Sequence, residues 1–199
     1  MSRLLETLCL ENGQLRLLPY HTARIQRSRR ALLQLTVPLN LQAALLPFLI
    51  HYPKGLYKCR VLYSRGIDEV HFSPYQRPQI RSLKKIYSNN ITYDHKYEER
   101  AALRALYQQK EECDDILIIK DGWVTDTYIG NLLLFDGKQW LTPDKPLLRG
   151  VQRQYLLEQG FIRSVPVREN ELESFQAFKF INALNPFEAS AAMPIRRIY

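Results

Sequence analysis

Four lysines, Lys84, Lys85, Lys96 and Lys110, lie in and around an alanine- and leucine-rich stretch in the middle of the chain. A lysine amine attacks a carbonyl carbon only where desolvation or a nearby cation frees it of its proton. Most lysines of a basic protein do no such chemistry and only keep the surface wet. Residue type alone therefore leaves open which of the four is special. An acid that could hold a proton, Asp126, follows an Asp-Gly turn in DGWVTD. Gly150, Val151 and Gln152 open a helical pattern, and a helix N-terminus offers backbone N–H groups to an anion. Lys58 and Arg60 flank Cys59 on a strand pattern, so both cations share one face while Cys59 takes the other. Arg24 stands in a His-x-x-Arg pattern that begins with His21.

The rest of the chain supplies the frame for these groups. Of 199 residues, 46% are apolar and 24% charged, enough for a core with an ordinary surface. No run of ~18 apolar residues predicts a membrane span. The opening stretch MSRLLETLCLENG lacks the apolar core and small-residue cleavage site of a signal peptide. Cys9, Cys59 and Cys113 are scattered without a Cys-x-x-Cys pair, which fits reduced thiols in a cytoplasm and predicts neither a disulfide frame nor a metal site. The net charge of +8 fits either a polyanion or a pocket for small anions. Its densest cluster, RIQRSRR, lies on an amphipathic helix with no nucleic-acid motif beside it. Neither nucleic acid nor membrane is expected as a partner.

Leu4–Leu10 and Gln14–Leu18 read as a hairpin about ENG. His21–Leu35 has helical spacing. NLQAALLPFLIHY predicts a second helix, kinked by Pro47 or carrying it in its first turn. GLYKCRVLYS and DEVHFSPY read as strands. The polar, proline-bearing QRPQIR places a linker near residues 75–81, dividing a smaller domain, 1–76, from a larger one, 82–199. The second part predicts a strand at SLKKIYS and a helix over Glu98–Gln109. Strand pairs follow about Asp121-Gly122 and Asp136-Gly137, then a helix from Gly150 to Gly160 and a buried strand AFKFI running into a turn. The fold class is α/β (mixed α+β) in two small domains.

The ordered pieces Glu6-Thr7, HTAR at 21–24, KCR at 58–60, KYEER at 96–100, GWVTDTYIGNLLLF at 122–135, LTP at 141–143, LLRGVQR at 147–153 and INAL at 181–184 resemble the fold-type IV family of pyridoxal-phosphate enzymes. That family includes branched-chain and D-amino-acid aminotransferases and 4-amino-4-deoxychorismate lyase. The resemblance implies the D-amino-acid aminotransferase-like fold, with pyridoxal 5'-phosphate in a cleft between its two domains. It singles out Lys96, in a Lys-x-x-x-Arg pattern with Arg100, as the lysine that forms the cofactor Schiff base. Asp126 then holds the proton of the ring nitrogen, where the family usually has Glu, with Asn131 beside it. The phosphate is implied at Gly150, Val151 and Gln152, at the backbone of Ala183 and Leu184, and at Arg24; the family commonly has Thr where Gln152 stands. Arg60, with Lys58, is implied to hold a substrate carboxylate. The Lys-x-x-x-Arg spacing and the INAL turn look most like the lyase branch, which releases 4-aminobenzoate and pyruvate for folate synthesis. The alternatives are a class IV aminotransferase for a branched-chain or D-amino acid, and a non-catalytic homologue that binds the cofactor or an anion. A small anionic amino-acid-like substrate and a homodimer are the expected partners.

Overall fold

The computed structural model of the chain describes residues 3–199. They form two compact units. One holds the residues up to Arg77 together with His95–Glu99; the other holds Pro78–Asp94 and Arg100–Tyr199.

The first unit contains strands β1 (Leu4–Glu11), β2 (Gln14–Leu15), β3 (Leu56–Tyr63) and β4 (Ile67–Pro74), and helices α1 (Leu18–Leu33) and α2 (Leu41–Leu49). The strands form an antiparallel sheet in the order β2-β1-β3-β4. The β1–β2 turn runs through Asn12 and Gly13, both at positive φ, which these two residue types tolerate. Leu4 lies opposite Tyr63, Glu6 opposite Val61 and Leu8 opposite Cys59. Leu4, Leu8, Cys59, Val61 and Tyr63 pack with Ile25 of α1 and with Leu41 and Leu45 of α2 in one core. Thr7, opposite Arg60, and Cys9, opposite Lys58, belong to the other face. Pro47 sits inside α2, where it cannot donate to the preceding turn, and the helix ends two residues later.

The segment His95–Glu99 departs from the sequence-based division, which put it at the head of the second domain. It runs along β1: Tyr97 bridges Leu4, Leu5 N–H donates to the Lys96 carbonyl (2.8 Å), and Glu98 N–H donates to the Arg3 carbonyl (2.9 Å). The backbone N–H of Glu98 is thereby tied to the chain just ahead of β1. The expected helix starts later, as α3 (Ala101–Tyr107).

The second unit carries β5 (Leu83–Tyr87), β6 (Asp115–Lys120), β7 (Trp123–Thr127), β8 (Asn131–Phe135), β9 (Trp140–Pro143), β10 (Arg163–Val165), β11 (Ala177–Ile181) and β12 (Met193–Pro194), with α3 and α4 (Val151–Glu158). The sheet runs β10-β9-β8-β7-β6-β5, and β8 also pairs with β11 along its length. Leu132 and Leu134 enter one apolar cluster with Leu117, Ile119 and Phe178. Leu133 enters another with Leu156 of α4 and Ile162. Both faces of β8 are therefore covered, which accounts for its unbroken apolar run. Asp121 and Gly122 turn β6 into β7 at positive φ. Among the described residues no helix is long and apolar enough to cross a membrane.

Candidate active site

In the first unit, α1 turns a charged stripe inward, because His21 and Arg24 fall one turn apart on the face that packs against β1. Glu6 of β1 meets them and is fully buried. Its Oε1 accepts from Arg24 Nε (2.8 Å) and its Oε2 from Arg24 Nη2 (2.6 Å). His21 Nδ1 lies 2.6 Å from Oε2. Burial pushes the Glu6 carboxyl up, but the Arg24 guanidinium and His21 outweigh it and hold it at about 2. Burial lowers the His21 pKa, against the pull of Glu6. The neutral ring gives its Nδ1 proton to Glu6, and Nε2 is buried without a hydrogen-bond partner among the described residues. The sequence assigned Arg24 to a phosphate; two of its nitrogens are bound to Glu6, which fixes the plane of the guanidinium.

The opposite face of this sheet carries Lys58 and Arg60 beside the fully buried Cys59. Arg60 Nη2 donates to Glu98 Oε1 (3.0 Å), and Arg3 Nε donates to Glu98 Oε2 (2.7 Å). Tyr97 packs against the core side. Glu98 thus lies on the face of Thr7 and Arg60, while the charge of Lys96 is close enough to His21 to help lower the pKa of that ring.

In the second unit, Asp126 at the end of β7 and Asn131 at the start of β8 form the β7–β8 pair. Both bind the backbone of Leu148. Leu148 N–H donates to Asp126 Oδ2 (2.8 Å), and Asn131 Nδ2 donates both to the Leu148 carbonyl (2.9 Å) and to Asp126 Oδ1 (2.8 Å). Burial pushes the Asp126 carboxyl up to about 7, against these hydrogen bonds and the charge of Arg153. Such a group exchanges its proton near neutral pH.

Gly150, Val151 and Gln152 lie two to four residues past Leu148. Gly150 is the N-cap of α4 and no side chain caps the helix, so its first N–H groups remain available to an anion. Arg153, buried in the first turn, ties α4 to β9 and β10 through the Pro143 carbonyl (2.9 Å) and Ser164 Oγ (3.0 Å). Arg153 carried no role in the sequence reading beyond its place in LLRGVQR; a charge within two residues of an apolar helix start was its only signal. Gly150 is required by space: a Cβ there would lie 2.0 Å from Asn131 Oδ1. Gly150→Ala is expected to displace Asn131 and cost about 1–3 kcal/mol, read as a lower urea midpoint of the second unit; an unchanged midpoint would contradict the contact.

Ala183 and Leu184 lie in the turn after β11, which Asn182 and Asn185 close by mutual backbone bonds (3.1 and 3.2 Å). The sequence assigned both amides to a phosphate. That of Leu184 donates to Asn182 Oδ1 (2.9 Å), because an Asn at this position folds its side chain back on the turn. Asn182 was not singled out from the sequence, and Glu6 entered only within the Glu6-Thr7 piece, with no role given to it. A lone carboxylate in the apolar alternation LLETLCL was the available sign of a buried partner for Arg24.

The family model for amino-transferase class IV matches residues 3–198. An uncharacterized protein of Haemophilus influenzae is 36% identical over 199 residues, spanning 93% of this chain and 99% of its own. The crystal structure of a Haemophilus somnus protein, provisionally called a 4-amino-4-deoxychorismate lyase, superposes with a TM-score of 0.86 at 35% identity, covering 94% of this chain and 98% of that one. A hypothetical aminotransferase from Mycobacterium tuberculosis, solved in its PLP-bound form, shares the fold at 20% identity, with a TM-score of 0.78 over 98% of this chain and 82% of its own. With the family match running over nearly every residue that builds both units, this chain belongs to the amino-transferase class IV family of enzymes.

Proposed function

We propose that the protein binds pyridoxal 5'-phosphate and acts as a lyase on 4-amino-4-deoxychorismate, yielding 4-aminobenzoate and pyruvate. The observation that carries the choice of reaction is the 35% identity, over almost the full length of both chains, to the Haemophilus somnus protein provisionally given that activity. The residues fit the cofactor. The uncapped N-terminus of α4 at Gly150, Val151 and Gln152 suits a phosphate, with the Ala183 amide and the oriented Arg24 guanidinium as further donors. Asp126, with a carboxyl near 7, suits a ring nitrogen that must keep a proton, and Asn131 holds that carboxyl in place.

When bound, the cofactor supplies an aldehyde carbon that takes up amines and a ring that accepts electrons. Lys96 Nζ is its covalent partner, and afterwards the base for the proton on the amine-bearing substrate carbon. Loss of that proton and cleavage of the bond between the ring carbon and the enolpyruvyl oxygen leave an aromatic amine and pyruvate. The atoms of the substrate divide between the two products with no added reactant. Arg60, with Lys58 beside it, holds a substrate carboxylate; Glu98 accepts from the Arg60 guanidinium and so orients it. Arg60→Ala is expected to raise KM for the anionic substrate ~10²-fold, the loss of one charged hydrogen bond, with cofactor content unchanged. Loss of cofactor instead would move Arg60 to the phosphate.

The reading extends to a homodimer in the cytoplasm, in the synthesis of folate. The three buried free thiols are in keeping with a reducing compartment, and sedimentation at micromolar protein checks the assembly. The test of the function is direct. Purified protein loaded with pyridoxal phosphate is given aminodeoxychorismate, and then L-alanine and D-alanine with a keto acid. Release of 4-aminobenzoate and pyruvate from the first alone supports the lyase. Amino transfer from an alanine without release of 4-aminobenzoate would make it an aminotransferase.

A further inference from the structure

Arg100 closes the Lys-x-x-x-Arg pattern, yet the roles assigned above do not use it. In the second unit it meets a buried acid, Asp115, across one residue, Tyr128. Asp115 Oδ1 accepts from Tyr128 N–H (3.2 Å) and from Ile116 N–H (2.7 Å). Arg100 Nη2 donates to the Tyr128 carbonyl. The guanidinium lies over the Tyr128 ring, 4.4 Å from its centroid, and Tyr107 stacks on that ring at 4.2 Å. Tyr128 is therefore held at its N–H, its carbonyl and its ring.

Tyr128 is part of the tight turn that joins Asp126 to Asn131. Thr127 N–H donates to the Gly130 carbonyl (3.0 Å), and Gly130 N–H donates back to Thr127 Oγ1 (3.1 Å). A Cβ on Gly130 would lie 2.4 Å from the Ile181 carbonyl, so the turn is pressed against β11. Its position is thus set from below by β11 and from outside by the clamp on Tyr128. Since the Asp126 carboxyl keeps its place through the Leu148 and Leu147 amides and the Asn131 side chain, a turn that shifts by a fraction of an ångström changes those hydrogen bonds.

We propose that Arg100 and Asp115 are positioning residues: by holding Tyr128 at its carbonyl and its N–H they set the Asp126–Asn131 turn and so the proton affinity of the Asp126 carboxyl. The proposal rests on the role given to Asp126 above, but its test does not need the cofactor. Asp115 is 1% exposed and Arg100 Nε is buried without a hydrogen-bond partner among the described residues, so neither side chain is held at the surface by solvent.

The experiment is a carbon-13 NMR titration of the Asp126 side-chain carboxyl in the cofactor-free protein, for wild type, Arg100→Met, Asp115→Ala and Asp115→Asn. The groups that face Asp126 are the Leu148 and Leu147 amides, Asn131 and the charge of Arg153, and none is altered by these substitutions. Arg100→Met and Asp115→Ala are expected to move the midpoint by about half a pH unit or more. Asp115→Asn keeps an oxygen for Tyr128 N–H and is expected to stay close to wild type. The same order should appear in the loaded enzyme as a fall in kcat of ~10-fold with KM unchanged. An Asp126 midpoint that does not move in folded Arg100→Met, or that moves equally in Asp115→Asn and Asp115→Ala, overturns the proposal. If Arg100→Met does not fold, the Asp115 pair decides it. Failure of wild type to take up pyridoxal phosphate would instead overturn the assigned chemistry and leave the titration result intact.

Discussion

Lys96→Ala is expected to lower turnover by ~10⁴-fold or more while leaving the fold in place. A residue that is both covalent partner and base has no substitute when its amine is removed, and such losses are of this order. The fold should tolerate the change. The Lys96 segment is joined to β1 through the Lys96 backbone carbonyl, and Ala keeps that carbonyl. Cofactor should still associate through the groups at the start of α4, but should wash out on gel filtration, where wild type retains it. Turnover of Lys96→Ala within tenfold of wild type would remove Lys96 from the chemistry and return the question to Lys84, Lys85 and Lys110. All three of those are engaged elsewhere: Lys84 Nζ donates to Glu111 (2.9 Å), Lys85 Nζ to Glu169 (3.1 Å) and Lys110 Nζ to the Cys113 carbonyl (2.8 Å).

Glu6→Gln is expected to cost about 3–5 kcal/mol, the penalty for breaking a buried ion pair and leaving the Arg24 charge uncompensated. The amide introduced by that substitution would also present an N–H₂ group to neighbours that both donate, Arg24 and His21. The pH dependence has a definite sign. The folded-state pKa of Glu6, about 2, lies below its ordinary 4.5. Its contribution is therefore complete above about pH 4.5 and is lost as the pH falls through about 2. Asp126 acts in the opposite sense. Its folded-state value, about 7, lies above 3.8, so ionising it costs stability as the pH rises from 3.8 towards 7. Urea unfolding of wild type and Glu6→Gln at pH 7 measures the first effect; a difference under about 1 kcal/mol would mean the pair contributes little. Because the chain has two units, the transition should be followed by a probe in the first, such as the fluorescence of its tyrosines, and not taken as a single event.

What the sequence made legible was local. The Asn12-Gly13 and Asp121-Gly122 turns, the Gly150 start and Gly160 end of α4, and the face shared by Lys58 and Arg60 all follow from residue type and short-range periodicity. The backbone has few alternatives at such positions. What stayed hidden was long-range. Nothing in KYEER says that Tyr97 and Glu98 spend their backbone on β1, so a helix expected from Glu98 starts three residues later. The union of β8 with β11, some forty residues apart, leaves no periodic trace, because both strands are simply apolar. Glu6 shows the same limit at the site. Its partners, His21 and Arg24, were legible as a motif, but a single carboxylate in an apolar strand does not announce which cation it meets. Asn182 capturing the Leu184 amide is a contact within one turn that residue type alone could have suggested.

The central claim is that Lys96 is the covalent partner of pyridoxal phosphate, and borohydride reduction tests it most directly. The loaded protein is reduced, digested and mapped by mass spectrometry, with the phosphopyridoxyl mass sought on every lysine peptide. The label is expected on Lys96 alone, with the visible absorption of the loaded protein lost on reduction. Label on Lys84, Lys85 or Lys110, or none on a protein that holds the cofactor, would contradict it.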